Sequence, residues 1–545
     1  MKKDIAKVEF NVPSHILGVV STLQKAGFEA YLVGGCVRDL VMGLTPKDWD
    51  VTTNARPEQI QALFADTFYE NEYGTVGVVV EKAPRAHTPS ALGADTGFSR
   101  EKVLDVSQET FSRVPLDALE VEPRASGGST SETDSNQKEV IEVTPYRLEA
   151  KYSNNRHPDS VTFGTNLEDD LKRRDLTINA IALNPETGEL KDIFGGLKDI
   201  KDMLIRAVRE PSARFHEDAL RMMRAVRLAS QLGFTIDPET EKAIVENKEL
   251  ITRIAVERVS DELSKLVDSQ HAVDGFRYLR LTGLLDYIIP ELLEGVGIEQ
   301  RGEHIYDVWE HNLKSLEHAV KRDFPFHVKL SALLHDVAKP VTRERDEKRG
   351  IWTFHGHDVV GGRMAKNILK RLKFSREMTD IVYKLVRYHL FFSDTDKITL
   401  SAVRRMIRNV GPELIWDLMK LRQCDRIGTG RPKESPYRLR KYEAMVEEAM
   451  RDPISVAMLK MNGDKIMKIV DVPPGPKIGW VLHALLEEVL DDPTKNTEEY
   501  LEQQVKELLS LSEAELKKLG EAGKEKKSEL EEEAVGEINR RHYVK

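Results

Sequence analysis

The stretch 31–50 constrains the fold of this 545-residue chain more than any other part. Its apolar start predicts a short buried strand, and the pair Gly34 and Gly35 permits a sharp turn into a helix beginning near Val37. Backbone amides at such a strand–glycine–helix junction point outward and suit a polyphosphate. Arg38 falls just inside the predicted helix, where its guanidinium could clamp phosphate oxygens.

Two carboxylates, Asp48 and Asp50, close the same stretch. Residues 47–52 are predicted to form another strand, in which positions i and i+2 share a face. Asp48 and Asp50 would then converge while Trp49 points away. Since Mg²⁺ prefers a few carboxylates together with substrate phosphates, the pair predicts a magnesium site beside a triphosphate.

The pattern Gly-Gly-X-Val-Arg-Asp followed by Asp-X-Asp resembles the head of the class II tRNA nucleotidyltransferases (CCA-adding enzymes) and the related bacterial poly(A) polymerases. The resemblance implies an α+β fold. A small polymerase-beta-like head with a mixed sheet would precede an all-helical neck, body, HD domain and C-terminal RNA-binding region. It also implies template-independent addition of CCA from CTP and ATP to the 3′ end of tRNA, with Mg²⁺ in the head and release of pyrophosphate.

Composition agrees with a soluble, cytoplasmic protein of about three or four domains, at 32% charged and 40% hydrophobic residues. No apolar run approaches the roughly 18 residues of a membrane helix, and the first residues lack the apolar core of a signal peptide. The two cysteines, Cys36 and Cys424, lie far apart, so no structural disulfide is expected, and Cys36 is interpreted as a small filler. The net charge of −10 disfavours a nucleic-acid partner overall, but phosphate contacts are made by local patches.

The expected domain order follows the resemblance, and the sequence leaves the oligomeric state undefined. The domains are a head over 1–185 with a disordered insertion at 83–137, a neck and body over 186–298, an HD domain over 299–430, a tRNA-binding region over 431–511 and a charged tail over 512–545. The insertion is crowded with Ser, Thr, Pro and Gly, whereas the tail is dense in Glu and Lys and is predicted to be a loose helix.

A further nucleotide-binding motif lies at 173–180, where Arg-Arg-Asp-Leu-Thr-Ile-Asn-Ala is similar to the family's Arg-Arg-Asp-X-X-X-Asn-Ala. The resemblance implies that this motif, with Arg174, contacts phosphate and distinguishes ribose from deoxyribose. Asp175 or Asn179 could bond a 2′-hydroxyl, which both donates and accepts. Residues 147–159 are similar to the mobile loop that helps CCA-adding enzymes switch from C to A, although the pair Asn154 and Asn155 precedes Arg156 here, where the family often has Asp.

Residues 216–227 predict one amphipathic helix with Asp218 and Arg221 on the same face. The resemblance implies that Glu-Asp-X-X-Arg is an amino-acid template for C and A. A carboxylate can accept from the exocyclic amine of both bases, and an arginine can donate to a ring nitrogen. Arg224 and Arg227 drift away from Asp218 and are predicted to face the triphosphate or to support helix packing. A salt-bridged surface helix is the alternative.

An ordered series of histidines and aspartates in the second half resembles the HD phosphohydrolases, which are helical and bind one or two metals. The matching positions are His311, His335, Asp336 and Asp425, with His357 and His389 as the extra ligands of two-metal members. Imidazole with carboxylate suits Mn²⁺, Ni²⁺, Fe²⁺ or Zn²⁺. An HD fold without activity is the alternative.

Residues 431–441 are the most basic run of this half and carry Tyr437 between arginines. The run could follow an RNA backbone or could be a solvated helix end. Two other functions also remain open. One is a poly(A) polymerase or an enzyme that adds only the terminal A, and the other is an HD phosphohydrolase whose degenerate head binds RNA.

Overall fold

The computed structural model describes residues 10–69, 74–82, 138–147, 163–300, 305–391, 398–451, 456–470 and 473–544. Two predicted features, the insertion at 83–137 and most of the loop at 147–159, lie outside these residues. The chain forms two compact units. The first, called the head below, runs to Asp202 and includes Arg206–Arg209, and the helical unit contains Met203–Ile205 and Glu210–Lys545.

A seven-stranded sheet forms the head, in the order β3-β4-β5-β2-β1-β6-β7. The strands are β1 (Ala30–Val33), β2 (Asp50–Thr53), β3 (Thr67–Tyr69), β4 (Val76–Glu81), β5 (Lys138–Pro145), β6 (Ile181–Asn184) and β7 (Glu189–Asp192). Strand β2 pairs in parallel with β5, whereas its other neighbour β1 is antiparallel. The prediction of an α+β protein with a mixed sheet is therefore confirmed.

The strand that carries the carboxylates is shorter than predicted. It begins at Asp50, and Asp48 lies before it in a bend. Its antiparallel neighbour β1 ends at Val33, directly before the turn at Gly34, so no backbone of β1 continues opposite the preceding residues. Trp49 is 7% exposed and joins the core of the head. The prediction that Trp49 points away from the carboxylates agrees with this burial.

Helices cover the sheet and fix the glycine turn. The head contains α1 (Ser14–Lys25), α2 (Gly35–Val41), α3 (Pro57–Leu63), α4 (Leu167–Lys172) and α5 (Gly196–Lys201). In α1, Ile16, Val20 and Leu23 keep helical spacing and are fully buried. Helix α2 begins two residues earlier than predicted and has only seven residues. The role of α2 in the head is to place its first turn beside β2.

The helical unit is built almost wholly from helices. They are α6 (Pro211–Glu217), α7 (Leu220–Leu232), α8 (Pro238–Asn247), α9 (Val256–Val267), α10 (Ala272–Leu281), α11 (Leu285–Ile288), α12 (Val308–Lys321), α13 (Phe326–Leu334), α14 (His357–Arg371), α15 (Arg376–Tyr388), α16 (Leu400–Val410), α17 (Ile415–Gly428), α18 (Tyr437–Met450), α19 (Gly463–Val470), α20 (Pro476–Asp491), α21 (Glu498–Leu509) and α22 (Glu513–Arg541). Two small sheets accompany them, made of β8 (Leu204–Ile205) with β9 (Thr235–Ile236) and β10 (Glu344–Asp346) with β11 (Ile351–Thr353). Within the described ranges, no helix combines the length and apolarity that crossing a bilayer requires.

The tail is a helix, as predicted, but it is not loose. Two glycines on α22 let it lie directly against α20, because a Cβ at Gly520 would be 2.5 Å from the Cα of Trp480. A Cβ at Gly523 would be 2.2 Å from the carbonyl oxygen of His483. The backbones therefore approach more closely than any larger residue allows.

This contact predicts a stability difference between two substitutions on one helix. Gly523→Ala is expected to lower the free energy of unfolding by about 1–3 kcal/mol, since rigid backbone opposes the added methyl group. Gly536→Ala is the control, because a Cβ there meets nothing within 4 Å and alanine raises helix propensity. Urea unfolding of both variants measures the difference. Equal effects would contradict the close packing of α22 on α20.

Candidate functional site

The glycine turn of the head brings three predicted residues together. Gly34 adopts φ 85° and ψ −141°, a conformation in which a side chain is strained. A Cβ at Gly34 would lie 3.1 Å from Asp50 Oδ2 and 3.4 Å from Arg174 Nη1. The Asp50 carboxylate and the Arg174 guanidinium therefore both approach the face of Gly34 on which a side chain would stand.

A side chain on that face of Gly34 is expected to damage the site. Gly34→Ala should reduce nucleotide addition about a hundredfold, because the methyl group adds backbone strain and presses on the Asp50 carboxylate. Gly43→Ala is the matched control, since Gly43 also has a positive φ (72°) but no atom within 4 Å of the added Cβ. Steady-state addition rates of the two variants distinguish the effect of the methyl group on Asp50 from the effect of backbone strain, because Gly43→Ala introduces strain alone. Equal losses in both would show that the approach of Asp50 to this face of Gly34 has no role.

Arg38 is held at the same turn by two partners. Its Nη1 donates to Asn179 Oδ1 at 2.9 Å, and its Nε and Nη2 donate to Asp39 Oδ1 at 2.9 and 2.6 Å. A Cβ at Gly35 would lie 3.5 Å from Arg38 Nη2, so the guanidinium also packs near this glycine. The structure thus joins the motif at 34–39 to the motif at 173–180. Since Asn179 Oδ1 accepts from Arg38, the amide NH₂ of Asn179 is its donor group for a ligand.

The residue that positions Arg174 was not predicted from the sequence. Asp170 on α4 is fully buried and accepts from Arg174 Nη2 at 3.1 Å and from Arg173 Nη2 at 2.6 Å. Burial alone would raise the pKa of Asp170, but the charges of Arg174 and Arg173 and their hydrogen bonds outweigh it and lower the pKa. The spacings i+3 and i+4 on one helix were the available signal.

The other predicted residues of the head have simpler environments. Asp48 is exposed, and Asp175 Oδ1 accepts from the backbone amide of Leu176 at 2.8 Å, as a turn-forming aspartate does. Burial raises the pKa of the Cys36 thiol to about 11, which fits the interpretation of Cys36 as a filler. A further carboxylate escaped the sequence analysis, because Glu142 on β5 is the register partner of Asp50.

The predicted continuous helix at 216–227 is wrong. Helix α6 ends at Glu217, α7 begins at Leu220, and Asp218 between them is extended, with φ −143° and ψ 103°. Its Oδ1 accepts from the amide of Leu220 at 3.0 Å, and its Oδ2 accepts from Arg258 Nη2 at 2.8 Å. The Asp218 side chain therefore bonds the first backbone amide of α7, at the point where the helix restarts. Arg258, like Asp170 and Glu142, was not predicted from the sequence.

Two of the arginines predicted to bind nucleotide, Arg221 and Arg227, are paired with different glutamates. Arg221 Nη1 donates to Glu217 Oε2 at 2.9 Å, and Glu217 also pairs with the buried Arg214. Arg227 Nε donates to Glu262 Oε2 at 2.6 Å, and Glu262 is buried on α9. Of the two roles predicted for Arg227, helix packing is the one that its partner favours. Arg224 follows one turn after Arg221 on α7 and is half-buried.

A second cluster lies wholly within the helical unit and contains all six predicted HD residues. They form two overlapping groups, which are His311, His335, Asp336 and Asp425, and Asp336, His357 and His389. Within each group the candidate ligand atoms lie within 4.8 Å of one another. All six side chains are buried. Five different helices or helix ends, α12, α13, α14, α15 and α17, supply them.

Asp336 lies between the two groups. Its Oδ2 is 3.0 Å from His311 Nε2 and 3.3 Å from His335 Nε2, and its Oδ1 is 3.4 Å from His357 Nε2 and 3.6 Å from His389 Nε2. Burial opposes the charge of Asp336, but Lys339 and His335 outweigh it and hold the pKa well below its usual value. The cluster thus has an ionised carboxylate among four imidazoles.

Backbone carbonyls fix the orientation of three of these rings. His335 Nδ1 lies 2.8 Å from the carbonyl oxygen of Ala332, and the corresponding distances for His357 and His389 are both 2.6 Å. An imidazole that donates its Nδ1–H to a carbonyl presents the lone pair of Nε2 to the other side. The three Nε2 atoms all face Asp336. This is the arrangement that a metal ligand set requires.

A cavity of about 750 Å³ opens on this cluster. Asp336, His357, His389 and Asp425 form its floor. Lys339 also lines it, with Nζ 2.6 Å from Asp336 Oδ2. The buried ligand set is therefore accessible to a molecule of moderate size.

The head has a glycine turn, a strand that carries a carboxylate beside that turn, and arginines held by carboxylate partners. These features are those of a nucleotidyltransferase head, and a helical region follows it. The family model described as "Poly A polymerase head domain" matches residues 30–120 and 105–206, and the one described as "Probable RNA and SrmB- binding site of polymerase A" matches 233–295. A model of tRNA nucleotidyltransferase domain 2 matches 346–505. The chain belongs to the tRNA nucleotidyltransferase and poly(A) polymerase family.

Curated relatives cover most of both chains. The A-adding tRNA nucleotidyltransferase of Deinococcus radiodurans is 37% identical over 339 residues, which are 60% of this chain and 76% of the relative. The CCA-adding enzyme of Lactiplantibacillus plantarum is 30% identical over 485 residues, which are 89% of this chain and 93% of the relative. The family and the nucleotidyltransferase class predicted from the sequence are thereby confirmed. The HD assignment stays a prediction.

A solved structure agrees on the fold. The apo form II of a CCA-adding enzyme aligns with a TM-score of 0.51 at 17% identity, over 93% of this chain and 97% of that one. At this identity the likeness concerns the fold alone. It extends through both the sheet-containing head and the helical region.

Proposed function

We propose that this chain adds nucleotides to the 3′ end of tRNA without a template, building CCA from CTP and ATP. The observation that carries the proposal is the meeting of Asp50, Arg174 and the bare backbone of Gly34 in the head. The chemistry requires a triphosphate to be held with its α-phosphorus open to attack. The RNA 3′-hydroxyl oxygen bonds that phosphorus, and the bond to the departing pyrophosphate breaks.

The residues of the head divide this work. Arg38 and Arg174, each fixed by a carboxylate partner, position the triphosphate, because a guanidinium matches phosphate oxygens with two parallel donors. Asn179 has its amide NH₂ as a donor toward the ribose. Asp48 and Asp50 would hold Mg²⁺, for which their carboxylate oxygens are suitable ligands. When bound, Mg²⁺ favours ionisation of the attacking hydroxyl and offsets charge on the leaving pyrophosphate.

Asp218 and Arg221 select the base in this proposal. Each has a fixed partner within the helical unit, Arg258 for Asp218 and Glu217 for Arg221, so both polar groups are restrained before any base arrives. A restrained carboxylate that accepts from an exocyclic amine favours C and A, because U and G offer a carbonyl at that position. Restraint also lowers the entropy cost of recognition.

The relatives do not settle which nucleotides are added, because one is named A-adding and another CCA-adding. The test offers the purified chain tRNAs that end before CCA, after C and after CC, with each nucleotide alone and all together. Full CCA addition to the first tRNA is the expected result. Extension of only the tRNA that ends in CC would show A addition instead, and a long A tail would show a poly(A) polymerase.

A second activity is favoured by the buried cluster around Asp336. The three imidazoles whose Nδ1 atoms face carbonyls present Nε2 to one carboxylate, a donor set that suits Mn²⁺, Ni²⁺, Fe²⁺ or Zn²⁺. A divalent ion there would activate water and polarise a phosphoryl oxygen. The reaction would be hydrolysis of a phosphate ester, in which the water oxygen bonds phosphorus and the ester oxygen leaves as an alcohol.

A further inference from the structure

The cavity over the metal-type cluster is not lined by that cluster alone. Its walls add three aromatic rings and a set of cations. The cations are Lys339, Arg422, Arg426, Arg431 and Arg438. Asp336 and Asp425 are the two carboxylates that face them, and both are in the candidate ligand set. The cationic side chains of the lining outnumber its two carboxylates, and a divalent ion would occupy both carboxylates, so the cavity favours an anionic ligand.

Part of this lining comes from the basic run at 431–441, for which the sequence allowed either an RNA-binding surface or a solvated helix end. Tyr437 and Arg438 begin helix α18 and are both exposed at its first turn, yet both line the cavity. Arg438 has no ion-pair partner among the described residues. The run therefore contributes to the same site as Asp336, more than a hundred residues earlier in the chain.

Two further aromatic rings line the cavity, Trp352 on β11 and Phe354. The guanidinium carbon of Arg343 lies 3.9 Å from the centre of the Trp352 ring, and Lys339 Nζ lies 5.8 Å from the centre of the Phe354 ring. Each ring therefore lies beside a cation. Aromatic rings beside cations are a combination that binds a base together with its phosphate.

We infer that Tyr437 and Arg438 form a specificity wall of this cavity and that the cavity takes a ribonucleotide phosphate in preference to a small phosphate ester. Arg438 binds the phosphate, and Tyr437 stacks on the base. The inference rests on the metal site proposed above, because the phosphate would reach toward the metal ion held at Asp336. A free nucleotide and the phosphorylated 3′ end of an RNA share this chemistry.

The test uses the full chain loaded with Mn²⁺ and measures binding by titration calorimetry. Three ligands are compared, which are inorganic phosphate, adenosine 3′-monophosphate and a short RNA that ends in a 3′-phosphate. The heat that remains after combined His335→Ala and Asp336→Ala substitution comes from ligand binding to the head, and it is subtracted. Tighter binding of the RNA than of the mononucleotide identifies a chain end as the source, and equal binding identifies the free nucleotide.

The two wall variants have different expected profiles. Arg438→Ala should weaken inorganic phosphate and both nucleotide ligands about tenfold to a hundredfold, whereas Tyr437→Ala should weaken only the nucleotide ligands, by about tenfold. Arg408→Ala is the control, since Arg408 is exposed on α16 and does not line the cavity. If both wall variants bound Mn²⁺ and kept the nucleotide affinity of the wild type, the roles assigned to Tyr437 and Arg438 would be wrong and the metal site would stand. Absence of Mn²⁺ binding in the wild type would overturn the metal site and the wall together.

Discussion

Asp48→Ala is expected to remove nucleotide addition almost completely, by about a thousandfold or more, while the head stays folded. The loss follows because the ligands for Mg²⁺ are few and the ions supply several kcal/mol of transition-state stabilisation. Asp48 is exposed in the bend before β2, so its substitution should cost little stability. Single-turnover addition to tRNA in Mg²⁺ measures the effect.

Asp66→Ala is the matched control for this prediction. Asp66 is another exposed aspartate of the head, and its partner is Lys138 at 3.0 Å. Its loss should leave addition unchanged, since an exposed ion pair contributes little and lies outside the proposed site. If the folded Asp48→Ala variant added nucleotides at nearly the normal rate, the assignment of Asp48 to the metal would be wrong.

Combined His335→Ala and Asp336→Ala substitution is expected to abolish divalent-cation binding in the helical unit and any metal-dependent phosphatase or cyclic-phosphodiesterase activity. Asp336 belongs to both candidate groups, so its removal affects both. Nucleotide addition should persist, because its proposed ligands belong to the head. Calorimetric Mn²⁺ titration and the two activity assays measure these effects separately.

Because both side chains are buried, folding must be checked by circular dichroism, and Asp425→Asn provides a milder variant that keeps the shape of the side chain. It should weaken Mn²⁺ binding at one group only, since Asp425 belongs to one. Loss of nucleotide addition in a folded variant of either kind would mean that this cluster supports the head, against the proposed independence of the two activities.

Much of the head could be predicted from the sequence because its decisive signals are local. The glycine pair must follow a strand and precede a helix, and the turn at Gly34 has the positive φ that this requires. The proximity of Arg38 and Asn179, 141 positions apart, came only through the family resemblance, since no local pattern relates them. The pair of Asp170 with Arg174 was equally local, at helical spacing, and was overlooked.

What could not be predicted depends on distant residues. The pattern at 216–227 continues helically through Asp218, and the break is stabilised by Arg258, which comes 40 positions later. Likewise, nothing local relates the basic run at 431–441 to Asp336. Only the packing of the helical unit shows that Tyr437 and Arg438 share a cavity with the metal-type cluster.

The central claim is that the chain selects C and A through its own side chains, and single-turnover addition of each of the four nucleotides tests it most directly. Wild type, Asp218→Ala and Arg38→Ala are compared. Asp218→Ala should lose discrimination against UTP and GTP by roughly 1–3 kcal/mol, or about 5- to 150-fold, because the carboxylate that accepts from the exocyclic amine of C and A is removed. Arg38→Ala should slow all four nucleotides about equally, since neither the phosphate that Arg38 is proposed to hold nor its partner Asn179, proposed to bind the ribose, distinguishes the bases. If Asp218→Ala instead slowed all four by one common factor, Asp218 would only restart helix α7, and base choice would lie elsewhere.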